Sequence, residues 1–262
     1  MSFFRKLISY LKTKIGILNE SLLRFILNRT RRIKHRGIGM LFYTPNFLTK
    51  YRIESFSTKE PETLAWIDSF EKKSIFWDIG ANIGIYSIYA AKKDVNVFSF
   101  EPSVFNLELL AKNISINSLD SNVSIIPIAL SNKTEINSFQ LTNISWGGAL
   151  STFGKDFDQY GEKIQTCFKY KYLGISGDDI VKVFNMPLPN YIKIDVDGIE
   201  HLILNGLLNT LDSVSEILIE INEDFEEQKT TTEKILSNLG FIFIDKFYLG
   251  SERHFNQLWR KG

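Results

Sequence analysis

The chain has 262 residues, 44% of them hydrophobic and 23% charged, which supplies a large core and excludes disorder as its main state. Its single cysteine, Cys167, excludes an intramolecular disulfide and a CxxC zinc site, and fits a reducing compartment. A net charge of +1 argues against a polyanionic partner only until it is divided: residues 1–40 sum to +9, and the remainder to −8.

The basic arm comes first along the chain. Its apolar runs fall short of the roughly 18 residues of a membrane span. Lys12 and Lys14 interrupt the stretch behind Arg5 and Lys6, unlike a cleavable signal peptide. Phe4, Leu7, Ile8, Leu11, Ile15, Leu18, Leu22, Phe25 and Ile26 recur at helical spacing. This predicts an amphipathic helix or helix pair within residues 1–40, then a basic turn ending at Gly37 and Gly39. Two readings stand side by side. Either the helix docks on the domain with a solvated cationic face, or residues 1–36 attach to an anionic membrane surface. Nucleic acid is not expected, because the arm carries no recognisable binding motif and the body is acidic.

Residues 41–262 form the second unit. Pro45 and residues 55–61 mark its entry, and Pro61 suits the first position of a helix over 62–72. Strands are then predicted over Ile75–Ile79, 95–100, 123–130, 191–196 and 216–221. Helices are predicted over 83–93, 104–117, 199–211 and 232–239, and a closing antiparallel pair over 241–247 and 254–259. This alternation predicts an α/β, Rossmann-like fold: a mostly parallel seven-stranded sheet with helices on both faces. Residues 131–188 show no clear crossover helix and read as a β-rich insertion before the fourth strand.

Asp78-Ile-Gly80-Ala-Asn82-Ile-Gly84 lies between a strand and a helix. Gly80 permits a sharp turn, and such a loop lets a ligand approach backbone N–H groups at a helix start. It is not the dinucleotide fingerprint, and a carboxylate at the strand end suits an ammonium or sulfonium better than a pyrophosphate. Glu101 ends the next strand, 21 residues after Gly80, where an acid accepts both ribose hydroxyls. Adenosine joined to a cationic amino acid points to S-adenosylmethionine.

These residues resemble the FkbM-type S-adenosylmethionine-dependent methyltransferases. The resemblance runs from about Lys59 to Asn222. It rests on Glu60-Pro-Glu-Thr-Leu-Ala-Trp-Ile67, Trp77-Asp-Ile-Gly-Ala-Asn-Ile-Gly84, Phe100-Glu-Pro-Ser103 with Asn106, and Ile128-Ala-Leu-Ser131. Gly147-Gly-Ala-Leu-Ser-Thr-Phe-Gly154 and Ile192-Lys-Ile-Asp-Val-Asp-Gly-Ile-Glu200 complete it. It implies a class I methyltransferase sheet and methyl transfer to a hydroxyl, often on a sugar or glycan. It further implies that Asp78, Gly80, Asn82 and Gly84 bind the methionine moiety. Glu101, with Pro102 beside it, would hold the ribose, and Ala129 and Leu130 would line the adenine.

Asp195, Glu200 and His201 follow the fourth strand, on the edge where open α/β sheets bind ligands. Asp195 is expected near the transferred methyl, with Glu200 and His201 as bases for a hydroxyl acceptor. Asp195, Glu220 and Asn222 would suit a divalent cation, though the spacing demands none and no metal is assigned. Trp146, beside Gly147 and Gly148, reads either as a platform for a sugar face or as a packed turn. Trp66 and Trp77 read as core.

The expected function is therefore methyl transfer to a saccharide or glycan-precursor hydroxyl, on the cytoplasmic side, either free or peripheral at the inner membrane face. The rival readings are a non-catalytic cofactor-binding or scaffold module and a Rossmann-type oxidoreductase.

Overall fold

The computed structural model describes residues 2–248 and 254–262, with the side chains of residues 2–9, 11 and 254 outside the described set. The expected apolar positions Phe4, Leu7, Ile8 and Leu11 lie in that outer set. The chain opens with helix α1 (Ser2–Leu27), followed by a hairpin of β1 (Thr30–His35) and β2 (Ile38–Tyr43). The expected basic turn is thus a β-hairpin that crosses residue 40. Alternation decides its placement. Met40 and Phe42 on one face of β2 are fully buried, while Asn113 and Asn117 side chains accept from the Tyr43 and Leu41 N–H groups.

Three short helices follow, α2 (Phe47–Glu54), α3 (Phe56–Lys59) and α4 (Pro61–Asp68). Asn46 caps α2 in a reciprocal capping box with Thr49, and Pro61 starts α4 as expected. The alternating part contains β3 (Ile75–Ile79), α5 (Ile85–Lys92), β4 (Asn96–Phe100), α6 (Val104–Ile116) and β5 (Val123–Ile126). An excursion then adds β6 (Ala129–Ser131), β7 (Glu135–Leu141), β8 (Ser151–Phe153), β9 (Phe168–Ser176) and α7 (Gly177–Phe184). The chain returns through β10 (Tyr191–Ile194), α8 (Glu200–Asn205), β11 (Glu216–Asn222), α9 (Glu226–Asn238), β12 (Phe241–Tyr248) and β13 (His254–Lys261).

The main sheet has seven strands in the order β12-β13-β11-β10-β3-β4-β5. It is mixed: β5, β4, β3, β10 and β11 pair in parallel, and β13 runs antiparallel between β11 and β12. Hydrophobic clusters cover both faces. Phe76 and Tyr191 face one, with Met40, Leu64, Tyr89 and Leu110. Trp77, Ile192 and Ile194 face the other, with Ile203, Leu204 and Leu236.

Three expectations change. The strand expected over 123–130 divides near Pro127, and its two parts enter different sheets. The excursion builds a second sheet, β6-β9-β7-β8, but also holds α7, which the periodicity missed. Its signal was a capping serine, Ser176, accepting from the Asp179 N–H at the start of the helix. The helix expected over 199–211 stops at Asn205, and Thr210–Ser213 form a separate 3-10 turn.

Candidate active site

Three parallel strands end side by side, and their first loop residues are stitched together. Gly80 and Ala81 N–H groups both donate to the Phe100 carbonyl at 3.0 Å, and the Asp195 N–H donates to the Ile79 carbonyl at 3.0 Å. Gly80 sits at φ +87, and an added Cβ would lie 1.9 Å from the Asp195 carbonyl oxygen. Only glycine lets the first and fourth strand loops touch here.

A cavity of about 290 Å³ opens at this junction. Gly80, Asn82, Glu101, Pro102, Ala129, Leu130 and Asp195 line it, as the sequence suggested. The excursion supplies Phe139, Ser151 and Phe153 to its wall. Glu101 is buried at the β4 end, where its two oxygens accept from Asn82 N–H at 2.7 Å and Ser103 N–H at 2.8 Å. Burial pushes this carboxyl up to about 7, against those backbone donors. The Asn106 side chain also hydrogen-bonds to it, which leaves the carboxylate a remaining lone pair for a neutral hydroxyl. Asn82, at φ +52, has an Oδ1 without a hydrogen-bond partner among the described residues. Such an orphaned acceptor suits an ammonium group.

The second end of the cavity was largely unforeseen. Lys193 is 2% exposed in the middle of β10, and its Nζ lies 2.5 Å from Asp195 Oδ2 and over the Tyr86 ring. Burial opposes its charge, but Asp195, Glu60 and Asp78 outweigh burial and hold its pKa well above normal. Conversely, burial would raise Asp195, yet Lys193 keeps it well below the carboxylate range. Glu220, hydrogen-bonded to Asp195, is driven well above that range by burial and by Asp195. The pair therefore holds one shared proton, with Asp195 as the ionised member. Asp197 lines the same end and accepts from Leu150 N–H at 2.7 Å. Burial and then Asp195 bring it to about 6. Oxygens of Asp195, Asp197 and Glu220 lie within 4.8 Å of one another, close enough to share a cation. Asn222 turns away, donating to the Gln159 carbonyl.

Four expected site residues do not line the cavity. Asp78 faces α5, accepting from Ser87 Oγ at 2.5 Å, and stands in register beside Lys193. It shares a sheet face with Lys193, whose long side chain reaches the cavity, while the shorter Asp78 stays against α5. Gly84 starts α5 at φ +83, where an added Cβ would lie 2.4 Å from Leu110 Cδ1, so it serves helix packing. Glu200 is a clamp. It accepts from the Val196 and Gly198 N–H groups and from Gln228 Nε2, and burial raises it to about 7. His201 is 1% exposed, both ring nitrogens lack partners among the described residues, and its ring meets Phe225 edge-on. Burial lowers its pKa. It has no access to an acceptor proton.

A roof crosses the cavity. The Gly148 carbonyl accepts from Asn82 and Asn106 side chains, and the Gly147 carbonyl accepts from Arg52 Nε. Trp146 packs on the core with its Nε1 donating to Glu108, so it is a packed turn, and Trp66 and Trp77 are core.

The chain is similar to known methyltransferases along this whole region. It is 29% identical over 189 residues to the hexuronic acid methyltransferase AglP of Haloferax volcanii, covering 71% of each chain. The structure of methyltransferase FkbM from Methylobacillus flagellatus matches with a TM-score of 0.51 at 18% identity. That match covers 73% of this chain and 44% of the other, so the chain spans under half of that structure. A candidate transferase from Pyrococcus horikoshii matches at 0.50 and 12% identity, over 88% of this chain and 71% of the other. The fold of these structures is thus a Rossmann-like methyltransferase fold. The model of the methyltransferase FkbM domain matches residues 78–246, which hold the main sheet except β13, the first residues of β3 and the last two of β12, and all the cavity's acids except Glu60; the chain belongs to the FkbM methyltransferase family.

Proposed function

We propose that the protein transfers a methyl group from S-adenosylmethionine to a hydroxyl oxygen of a saccharide acceptor. The observation that carries this reading is one cavity with two differently built ends. Its donor end fits an adenosyl amino acid. Glu101 offers its carboxylate to a ribose hydroxyl, Ala129 and Leu130 give an apolar wall, and Asn82 Oδ1 offers an acceptor for an ammonium. When bound there, the cofactor supplies a sulfonium-activated methyl group.

The second end handles the acceptor. Transfer to a hydroxyl releases its proton, so a base of suitable strength must face the cavity. Asp195 is a weak base because Lys193 holds it ionised, and Glu220 already carries the pair's proton. Asp197, at about 6, is the better match and takes the proton. Asp195, fixed by Lys193, orients the acceptor hydroxyl as a hydrogen-bond acceptor. The excess of carboxylates over lysines at the cavity also favours a cationic cofactor over a dinucleotide, which weakens the oxidoreductase reading.

The name of the Haloferax relative supports a uronic acid residue within the acceptor. The test is transfer of isotopically labelled methyl to saccharides with and without a hexuronate. A label in the saccharide that survives mild base is a methyl ether and supports the reading. A base-labile label is a methyl ester and overturns hydroxyl transfer, and a label on no saccharide overturns the acceptor class.

A further inference from the structure

The two readings of the arm are separated by the structure. Every described side chain of α1 is exposed, so none of them is buried against the rest of the chain. Ile15, Leu18, Leu22, Phe25 and Ile26 share one face at helical spacing, with Leu18 69% and Phe25 71% exposed. An apolar face of this size does not stay in water without a partner.

We propose that α1 and the basic cleft at its root form a docking surface for an anionic phospholipid bilayer. The cleft is lined by Arg24, Arg29, Arg31 and Lys50, against two acids, Glu20 beside Arg24 and Glu54 beside Arg31 and Lys50, and it flanks Phe25 and the 80% exposed Phe47. Four cations around two exposed aromatic rings match headgroup phosphates lying above an acyl boundary. Lys12 and Lys14 stand on either shoulder of the apolar face, where their stems snorkel to the headgroups. Arg32 and Lys34 add charge on the exposed hairpin and form no salt bridge among the described residues. No described helix is long and apolar enough to cross a membrane, so α1 lies on the surface rather than spanning it.

Charge selects this occupant over a second copy of the chain. Two arms of +9, each with Glu20 as its one acid, repel one another, whereas an anionic bilayer supplies the countercharge. The surface also lies close to the cavity. On α2, Phe47 and Lys50 line the cleft while Arg52 lines the cavity and holds its roof at Gly147. A membrane-borne acceptor would thus be presented within one short helix of the cavity. The docking proposal does not depend on the proposed reaction.

The test is co-sedimentation of the full chain with phosphatidylcholine vesicles, with and without phosphatidylglycerol. The chain is expected to pellet only with the anionic vesicles and to be released by high salt. Leu18→Glu/Leu22→Glu and Arg32→Glu/Lys34→Glu should each weaken binding about tenfold or more. Both double variants should keep the cofactor affinity of the parent, which reports that the domain remains folded. Equal binding to neutral vesicles, or parent-like binding by both folded variants, overturns the proposal. So does a dimeric mass in solution that Leu18→Glu/Leu22→Glu converts to a monomer, because the occupant is then a second copy.

Discussion

The two ends of the cavity solve opposite electrostatic problems. At the donor end one buried carboxylate, Glu101, is held by neutral donors, the N–H groups of Asn82 and Ser103 and the Asn106 side chain. At the other end Asp195, Asp197, Glu220 and Glu60 crowd around the cations of Lys193 and Lys59. Glu60, which burial alone would raise, is held low by Lys193 and Lys59, and it pairs with Lys59 at 2.9 Å. The first end keeps an anion ready for a ligand. The second balances its own charges and leaves only Asp197 at a pKa suited to taking a proton near neutral pH. On the proposed reading, this is the physical difference between holding a cofactor and handling an acceptor.

The junction between the two ends is the most sensitive point. Gly80→Ala should cost about 3 kcal/mol or more, because its Cβ meets the Asp195 carbonyl and its φ is positive. Gly37→Ala, at a similar φ with nothing within 4 Å, should cost only about 1–2 kcal/mol. Chemical denaturation of both variants isolates the steric part. If the two variants lose equal stability, the close contact of the loops is not what requires Gly80.

Removing the buried cation attacks the second end alone. Lys193→Met leaves Asp195 and Glu60 without their main partner and should destabilise the fold by about 3–5 kcal/mol. Adding Glu60→Gln should recover part of that loss, which denaturation of the double variant measures.

The donor end is probed by Glu101→Gln. Losing charge-assisted bonds to a diol should weaken cofactor binding about 10–100-fold in calorimetry. Its protonation adds a pH signature. Below about 7 the parent's affinity should fall toward tenfold per pH unit, because a protonated Glu101 accepts poorly, and the variant should lose this dependence. Stability carries the opposite sign. Glu101 and Glu200 titrate at about 7 when folded and near 4.3 when unfolded, so the folded state binds more protons between those values. Without cofactor, their contribution is complete below about pH 4 and is lost as pH rises through 7. The thermal midpoint should therefore decline from pH 5 to pH 7.5. Asp195 and Glu60, whose folded pKa values are lowered, contribute fully across that window and do not mask the trend.

The smallest effect belongs to His201. His201→Leu replaces a buried ring without polar partners by a similar volume, so turnover should stay within about twofold. A large loss of turnover with the fold intact would restore His201 as a base.

The donor end was legible in sequence because its geometry is local. A strand, Gly80, a helix and an acid 21 residues on define the turn, and backbone N–H groups do the rest. Asp78 shows where spacing misleads: it stands near the right strand end, but its short side chain is taken by Ser87 and does not line the cavity. The second end was only partly legible: Asp195 and Glu220 could be placed at one sheet edge, but α3, Glu60 after it, α5 and β10 add groups from distant parts of the chain. One signal was present: Lys193 and Glu220 interrupt otherwise apolar central strands, where a charge needs a buried partner. Sequence spacing does not say which partner. Likewise the periodicity of α1 was plain, but only the structure shows that the described part of its apolar face is left exposed.

The most direct test of the division between the two ends is Asp197→Asn, measured for cofactor affinity by calorimetry and for turnover with labelled methyl. The account predicts affinity within about twofold of the parent and turnover lower by roughly 100-fold or more, the usual worth of a general base. Unchanged turnover, or an equal loss of cofactor affinity, would contradict it.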